Sequence, residues 1–265
     1  QVALAIPTED NEMVVYSSTQ NPTEVQHLVA HVLNVPQNAI EVITRRMGGG
    51  FGGKETDSSQ LACICAIFAK QTLLPVKARL SRRDDILMTG KRHDFKADYE
   101  VGYADDGKIL GIEVDLAARC GYSLDLSKAI VSRALFHTDN AYFLPNATIR
   151  GFLCKTNTAS NTAFRGFGGP QGMLAIENII EEIAMNIGID PIEIRKTNYY
   201  QKDTNNITPY NQVVEDNIIN ELSSELIADS NYLARRESIK KFNKKNKYLK
   251  KGLAFSPVKF GISFT

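Results

Sequence analysis

Apolar residues in the first part of the chain follow strand-like and helix-like spacings in turn. The run Met13–Ser17 and the β-branched run 40–44 predict strands. Between them, Asn21 is placed to cap a helix that has Pro22 at its first position. The apolar face of this helix has i, i+3, i+4, i+7 spacing and comprises Val25, Leu28, Val29, Val32 and Leu33. A second helix, over 58–70, is apolar nearly all round and is therefore expected to be buried.

The rest of the chain continues this mixture of elements. Further strands are predicted over 76–80 and Ala147–Lys155, and a hairpin around Asp106-Gly107. Further helices are predicted over 126–136, 173–188, from Asp190-Pro191, over 213–227 and over 235–251. Loops are predicted over 81–85 and 199–212, and one or two strands over 252–265. Because helices and strands do not alternate strictly, we predict an α+β fold with helices packed on mixed sheets.

Composition narrows the class of protein without identifying it. The 265 residues are 43% hydrophobic and 23% charged, enough for a sizeable core in one or two domains. The net charge of +1 gives no general attraction to nucleic acid or membranes, and the basic stretch 235–251 fits a solvated helix face. No apolar run reaches the roughly 18 residues of a transmembrane helix. The four cysteines contain no C-x-x-C pair, which favours reduced thiols and a cytoplasmic location.

A glycine-rich stretch separates the predicted strand 40–44 from the helix 58–70. It reads Arg45-Arg46-Met47-Gly48-Gly49-Gly50-Phe51-Gly52-Gly53-Lys54-Glu55. A strand, a glycine loop and a helix in this order aim backbone N–H groups at an anion. The stretch satisfies the dinucleotide pattern G-x-G-x-x-G, as glycine-rich loops easily do. It also resembles the P-loop of a nucleotide- or phosphate-binding module, although Glu55 occupies the place of the magnesium-binding Ser or Thr.

The glycine pattern occurs a second time. The stretch Asn161-Thr162-Ala163-Phe164-Arg165-Gly166-Phe167-Gly168-Gly169-Pro170-Gln171-Gly172 repeats the Gly-Phe-Gly-Gly core and also precedes a predicted helix. Two such loops, each beside charged residues, indicate one extended ligand that is held from two sides.

Both stretches closely resemble the molybdenum-pterin-binding domain of the molybdenum hydroxylases, and among these the xanthine dehydrogenases most. The resemblance runs from Ser17-Ser18-Thr19-Gln20-Asn21 to Phe260-Gly261-Ile262-Ser263-Phe264-Thr265. It implies a fold like that of the molybdenum cofactor-binding domains. We expect the chain to be the first half of such a domain. Two subdomains are possible within it, about 1–155 with the first glycine loop and about 156–265 with the second.

The resemblance also implies roles for particular residues. The molybdenum would have no direct protein ligand, and Gln20, Phe51 and Arg165 would surround it in a second layer. The residues implied to bind the cofactor are Gln20, Gly49, Gly50, Phe51 and Arg165. The residues implied to bind a purine are Glu55, Arg133, Phe167, Phe264 and Thr265. Of these, Glu55 and Arg133 would also be catalytic, since a guanidinium can stabilise negative charge that develops on the purine.

The expected activity is the oxidative hydroxylation of hypoxanthine and xanthine at a molybdenum–molybdopterin centre, a step of purine catabolism. An aldehyde oxidase-type hydroxylase is the alternative within the family, although aldehyde oxidases usually carry apolar residues in place of Glu55 and Arg133. The general-base glutamate is implied to lie beyond this chain, and the [2Fe-2S] and FAD groups on other domains or subunits. The isolated chain is therefore expected to be inactive, and an oligomer is expected for the enzyme.

Overall fold

A computed structural model describes residues 1–261 of the chain, so the predicted substrate residues Phe264 and Thr265 lie outside the described part. The α+β prediction is confirmed: the described chain combines a four-stranded sheet, a three-stranded sheet and α-helices. The chain divides into two compact units. Unit 1 consists of Gln1–Phe95, Ala117–Val131 and Phe152–Phe167, and unit 2 of Lys96–Leu116, Ser132–Gly151 and the chain from Gly168 onward. The expected division into subdomains near residue 155 stays a prediction.

The four-stranded sheet forms the framework of unit 1. Its strands are β1 (Val2–Pro7), β2 (Met13–Ser17), β3 (Ile40–Ile43) and β4 (Val76–Arg79), in the order β3-β2-β1-β4. The connection from β2 to its parallel neighbour β3 is helix α1 (Pro22–Leu33), whose N-cap Asn21 accepts a hydrogen bond from the Glu24 backbone amide. Capping and periodicity thus predicted this helix correctly.

Helix α2 (Asp57–Thr72) packs with α1 on the sheet and completes the core of unit 1. Small residues allow the close approach, since Ala3, Ala5, Ala62 and Ala66 are all fully buried. The expectation that this helix is buried all round is wrong within this chain. Ile64 and Phe68 are 44% and 52% exposed, because the sheet and α1 cover only one side of the helix.

The three-stranded sheet contains β5 (Phe95–Tyr103), β6 (Ile109–Gly121) and β7 (Ala147–Lys155) in that order, and its strands contribute residues to both units. Helix α4 (Ser127–Phe136) also contributes to both. Unit 2 holds α5 (Gly169–Ile187) and α6 (Pro191–Asn198), which pack together, and α7 (Ile219–Asp229) and α8 (Tyr232–Lys245). Asp190 caps α6 as predicted, by accepting from the Ile192 amide.

Four local predictions are wrong. Residues 81–85 are not a loop: Ser81 caps helix α3 (Arg82–Met88) by accepting from the Asp84 amide. Helix α7 begins at Ile219 rather than at 213, because the Asn217 side chain accepts a hydrogen bond from the Ile219 amide. Helix α8 ends at Lys245 rather than at 251, since the backbone turns extended at Asn246. Within 252–261 no strand forms.

Candidate cofactor-binding site

The first glycine loop, residues 47–55, lies between β3 and α2 in unit 1, as the sequence predicts. Its only bulky apolar side chains are those of Met47 and Phe51, and Phe51 is 62% exposed. Phe51 has φ of 53°, a left-handed conformation that costs a non-glycine residue about 1 kcal/mol or more. Gly52 follows with φ of 95°, which favours glycine. The loop therefore carries local backbone strain and presents an aromatic side chain to solvent.

Gln20, at the turn between β2 and α1, holds this loop in place. Its side-chain oxygen Oε1 accepts hydrogen bonds from the backbone amides of Gly52 at 2.8 Å and Lys54 at 3.3 Å. Its own backbone amide donates to the Lys54 carbonyl at 2.8 Å. A Cβ atom on Gly50 would overlap the Gln20 carboxamide, so a larger residue there would displace the Gln20 side chain. Because Oε1 faces the loop, the amide nitrogen Nε2 of this exposed side chain is left as a donor.

The second glycine loop, residues 161–169, reaches the first one within unit 1 through its segment up to Phe167. The Arg165 amide donates to the Phe51 carbonyl at 2.8 Å. A Cβ atom on Gly52 would lie 2.9 Å from the Ala163 carbonyl group, so the two backbones are in close contact. Phe167 has φ of 49°, nearly the value of Phe51. The structure thus brings Gln20, Gly50, Phe51 and Arg165 together. That both loops hold one ligand stays a prediction.

Arg92 supports the second loop and was not predicted from the sequence. Its Nη2 donates to the Arg165 carbonyl at 2.6 Å, and its guanidinium lies 4.5 Å from the centroid of the Phe164 ring. A planar guanidinium can bind a carbonyl and stack on an aromatic ring at the same time. Nothing in the local sequence indicates this role, because Arg92 and Arg165 are 73 positions apart.

Glu55 lies at the end of the first loop and belongs to a group of carboxylates in unit 1. Burial, and after it the charge of Asp125, raises the pKa of Glu55 above its usual range. Burial also raises the pKa of Asp57 to about 6, although its Oδ2 accepts a hydrogen bond from the Gly90 amide at 2.9 Å. Asp125 accepts from Thr162 Oγ1 at 2.5 Å. Sequence reasoning missed Asp57 and Asp125, which resemble ordinary helix-start and turn residues.

Arg133 lies on α4 and belongs to unit 2, whereas Glu55 belongs to unit 1. Only 7% of Arg133 is exposed, and its guanidinium lies 4.5 Å from the Phe260 ring centroid. The sequence is compatible with two interpretations of the Arg133 side chain. Its stem could cover apolar surface, or its guanidinium could point into a site. Its burial and its aromatic contact exclude an ordinary solvated arginine.

The P-loop alternative receives little support from the first loop. Lys54 does not extend toward a phosphate position, because its Nζ donates to the Met47 carbonyl of the same loop at 2.6 Å. Glu55 and Asp57 place two carboxylates where the helix begins, and these would repel the phosphates of a nucleotide.

The first loop instead suits a large group rich in hydrogen-bond acceptors. Among the described residues, the backbone amides of Gly49, Gly50 and Phe51 donate no hydrogen bond, and nothing would meet a Cβ atom on Gly48 within 4 Å. Adjacent free amides of this kind bind anionic oxygens. Residues 1–261 contain no cluster of three or more His, Cys, Asp or Glu side chains that could hold a metal ion. Over the same residues, no helix is both long and apolar enough to cross a bilayer.

Comparisons with known proteins agree with this description. The family model of the molybdopterin cofactor-binding domain matches residues 1–199. Xanthine dehydrogenase of Dictyostelium discoideum is 45% identical over 262 residues, which make up 99% of this chain and 19% of that protein. Nicotinate hydroxylase hnxS of Emericella nidulans is 46% identical over 264 residues, again 99% of this chain and 19% of that protein. The chain therefore spans about a fifth of the length of these curated relatives.

A solved structure shares the fold. CO dehydrogenase from Oligotropha carboxidovorans superposes with a TM-score of 0.82 at 23% sequence identity, over 92% of this chain and 31% of that chain. At this level of identity the likeness concerns the fold alone.

Proposed function

The chain belongs to the molybdopterin cofactor-binding domain family, and from that membership we propose that it forms part of a xanthine dehydrogenase that hydroxylates hypoxanthine and xanthine. Identity of 45% to a xanthine dehydrogenase over nearly the whole chain supports this substrate class. The same proposal includes the partners of this chain, which are the remaining part of the molybdenum domain and the iron–sulfur and FAD domains. It also includes an enzyme that is oligomeric and located in the cytoplasm.

The residues that would hold the cofactor are Gln20, Gly49, Gly50, Phe51 and Arg165. When bound, the molybdenum–pterin group supplies the two-electron oxidation and the transfer of oxygen from water. The hydrogen bonding of the Gln20 side chain is the observation that best supports the proposal. Its oxygen is bound to the Gly52 and Lys54 amides, so its Nε2 is the group that can donate to an acceptor of the cofactor. The free amides of the first loop add further donors to the same group.

The residues that would bind the purine are Glu55, Arg133 and Phe167, together with Phe264 and Thr265, which lie outside the described residues. The raised pKa of Glu55 suits a carboxyl that exchanges hydrogen bonds with a ring N–H or ring nitrogen. The buried guanidinium of Arg133 can stabilise negative charge that develops on the substrate. Phe167 offers an aromatic face for stacking.

A second candidate substrate is a pyridine carboxylate, because the relative from Emericella nidulans is a nicotinate hydroxylase of nearly the same identity. Arg133 alone would suit such a carboxylate. Glu55 argues for the purine, since an ionised Glu55 would repel a second carboxylate whereas a purine ring offers N–H donors to it.

The test is to replace each of the two residues in the full-length enzyme and to measure molybdenum content and turnover. Arg133→Met should lower xanthine turnover about 10²–10³-fold and leave the turnover of a small aldehyde nearly unchanged. Glu55→Ala should lower xanthine turnover while molybdenum content stays normal. Glu41→Ala, an exposed carboxylate in β3, is the matched control. Nicotinate turnover in the unmodified protein above that of xanthine would favour the second candidate.

A further inference from the structure

The C-terminal part of the described chain is fixed to the end of α4 within unit 2. Fully buried Asn140 binds two groups of it: its Nδ2 donates to the Pro257 carbonyl at 2.9 Å, and its Oδ1 accepts from the Lys259 amide at 3.0 Å. One side chain thus pairs with two backbone polar groups of this segment, as a neighbouring strand would. The segment 257–260 is therefore held at Asn140, just beyond the end of α4.

An ion pair strengthens this attachment. Lys259 Nζ contacts the carboxylate of Asp139, whose side chain is 1% exposed. Tyr200 donates to the same carboxylate at 2.6 Å, and Lys259 Nζ lies 3.2 Å from the Tyr210 hydroxyl. We call Asp139, Asn140 and Lys259 the α4 clamp.

The clamp places the next residue, Phe260, on Arg133. The centroid of the Phe260 ring lies 4.5 Å from the Arg133 guanidinium carbon and 4.9 Å from the centroid of the His137 ring. A Cβ atom on Gly169 would lie 2.9 Å from the Phe260 ring, so the ring is also in close contact with the backbone at Gly169. His137 in turn lies against the base of the arginine, with Nδ1 2.9 Å from the Arg133 carbonyl.

We propose that Phe260 is a positioning residue for the substrate-binding Arg133, and that the α4 clamp sets the place of Phe260. A long arginine side chain loses considerable rotational entropy when it is fixed, and a ring packed against its guanidinium lowers this cost before substrate binds. The guanidinium is then oriented in advance, which is where such a group contributes most to binding and turnover. This inference rests on the proposed function, because it assumes that Arg133 contacts the purine.

The test uses the full-length, molybdenum-loaded enzyme and the variant Phe260→Leu, which keeps apolar volume and removes the ring. A cation–ring contact of this kind corresponds to a fall of about three- to thirtyfold in kcat/KM for xanthine. We expect the fall to appear in kcat as well as in kcat/KM, because Arg133 acts on charge that develops during the reaction, with kcat/KM for a small aldehyde and molybdenum content unchanged. Phe260→Tyr, which keeps the ring, should restore most of the xanthine value. The matched control is Phe242→Leu, which removes the ring 4.2 Å from Lys251 elsewhere in unit 2.

A second variant examines the clamp itself. Replacing Lys259 alone would leave the buried Asp139 carboxylate unpaired and could unfold the unit. The double variant Asp139→Asn/Lys259→Met removes both charges together. It should lower kcat/KM for xanthine, as Phe260→Leu does, and leave the aldehyde values unchanged.

Measurements in the Arg133→Met variant distinguish a failure of this inference from a failure of the proposed function. If Phe260 acts through Arg133, Phe260→Leu should cause no further loss in that background. An unchanged ratio of xanthine to aldehyde kcat/KM in Phe260→Leu, beside a clear loss in Arg133→Met, would overturn this inference and leave the proposed function intact. An equal loss for both substrates in Phe260→Leu would also overturn it, because it would show a merely structural role. If Arg133→Met itself leaves the ratio unchanged, the proposed function fails and this inference fails with it.

Discussion

The Arg165 backbone amide donates a hydrogen bond of 2.8 Å to the Phe51 carbonyl, across 114 positions of the chain. This contact joins the two Gly-Phe-Gly-Gly loops directly at their backbones. The side chains of Phe51 and Arg165 are therefore free to extend to solvent, and both residues are exposed. The repeated motif serves to bring two chain segments together at one surface, and each loop depends on the position of the other.

The close contact between the two glycine loops predicts that Gly52 cannot be replaced by a larger residue without loss of stability. In Gly52→Ala, the new Cβ atom would lie 2.9 Å from the Ala163 carbonyl, at a φ of 95° that is strained for alanine. Overpacking and strain together should cost about 1–3 kcal/mol and separate the loops. We expect a several-fold lower molybdenum content in the full-length enzyme, measured by elemental analysis. Gly53→Ala is the control, because its nearest contact is 3.5 Å and its φ is not positive. Similar molybdenum contents in the two variants would contradict the prediction.

A substitution of Gln20 tests which of its side-chain atoms, Oε1 or Nε2, is needed for turnover. Gln20→Glu keeps an oxygen that can accept from the Gly52 and Lys54 amides and replaces the Nε2 donor by an acceptor. The loop should therefore persist, whereas the contact with the cofactor should be lost. We expect turnover per bound molybdenum to fall about 10²–10³-fold, as for loss of a donor to a developing charge. Gln71→Glu on exposed α2 surface controls for the added charge. Full activity of Gln20→Glu would show that the residue only supports the loop.

The sequence predicted those features that depend on neighbours along the chain. Cap residues such as Asn21 and Asp190, and the glycine loops themselves, are local signals and were predicted correctly. Arg92 and Asp125 were missed because their partners Arg165 and Thr162 lie 73 and 37 positions away. The apolar residues near Phe260 resembled a strand, but the segment is held by the side chain of Asn140, which follows α4, instead of a sheet. Local periodicity cannot distinguish these two ways of fixing an extended segment.

The raised pKa of Asp57 predicts that the stability of the folded chain depends on pH. Burial raises its folded-state pKa to about 6 from 3.8, so its contribution to stability is fully present below about pH 3.8 and is lost as the pH rises through about 6. Asp57→Asn cannot ionise and can still accept from the Gly90 amide. The variant should therefore gain about 1–3 kcal/mol over the unmodified chain near neutral pH and little near pH 4, after allowing for the lost charge at the helix start.

Thermal unfolding of the two proteins between about pH 4 and pH 8 checks this dependence. Asp84→Asn, an exposed carboxylate in the first turn of α3, is the control for charge at a helix start. A difference between Asp57→Asn and the unmodified chain that does not change with pH would show that burial does not destabilise the ionised Asp57.

The contacts of Arg92 with the second loop predict that lysine is a poor substitute for arginine at position 92. Its guanidinium donates to the Arg165 carbonyl at 2.6 Å and stacks 4.5 Å from the Phe164 ring centroid. Lysine has a single compact ammonium group, which can donate to the carbonyl or approach the ring but cannot match both contacts in one plane. Arg92→Lys should therefore loosen the backbone at Arg165 and lower the melting temperature by a few degrees, for a loss of about 1 kcal/mol. It should also lower molybdenum content. The exposed Arg83→Lys substitution on α3 should change neither quantity. Equal melting temperatures and molybdenum contents for the two variants would show that the carbonyl contact alone, which lysine can keep, holds the second loop.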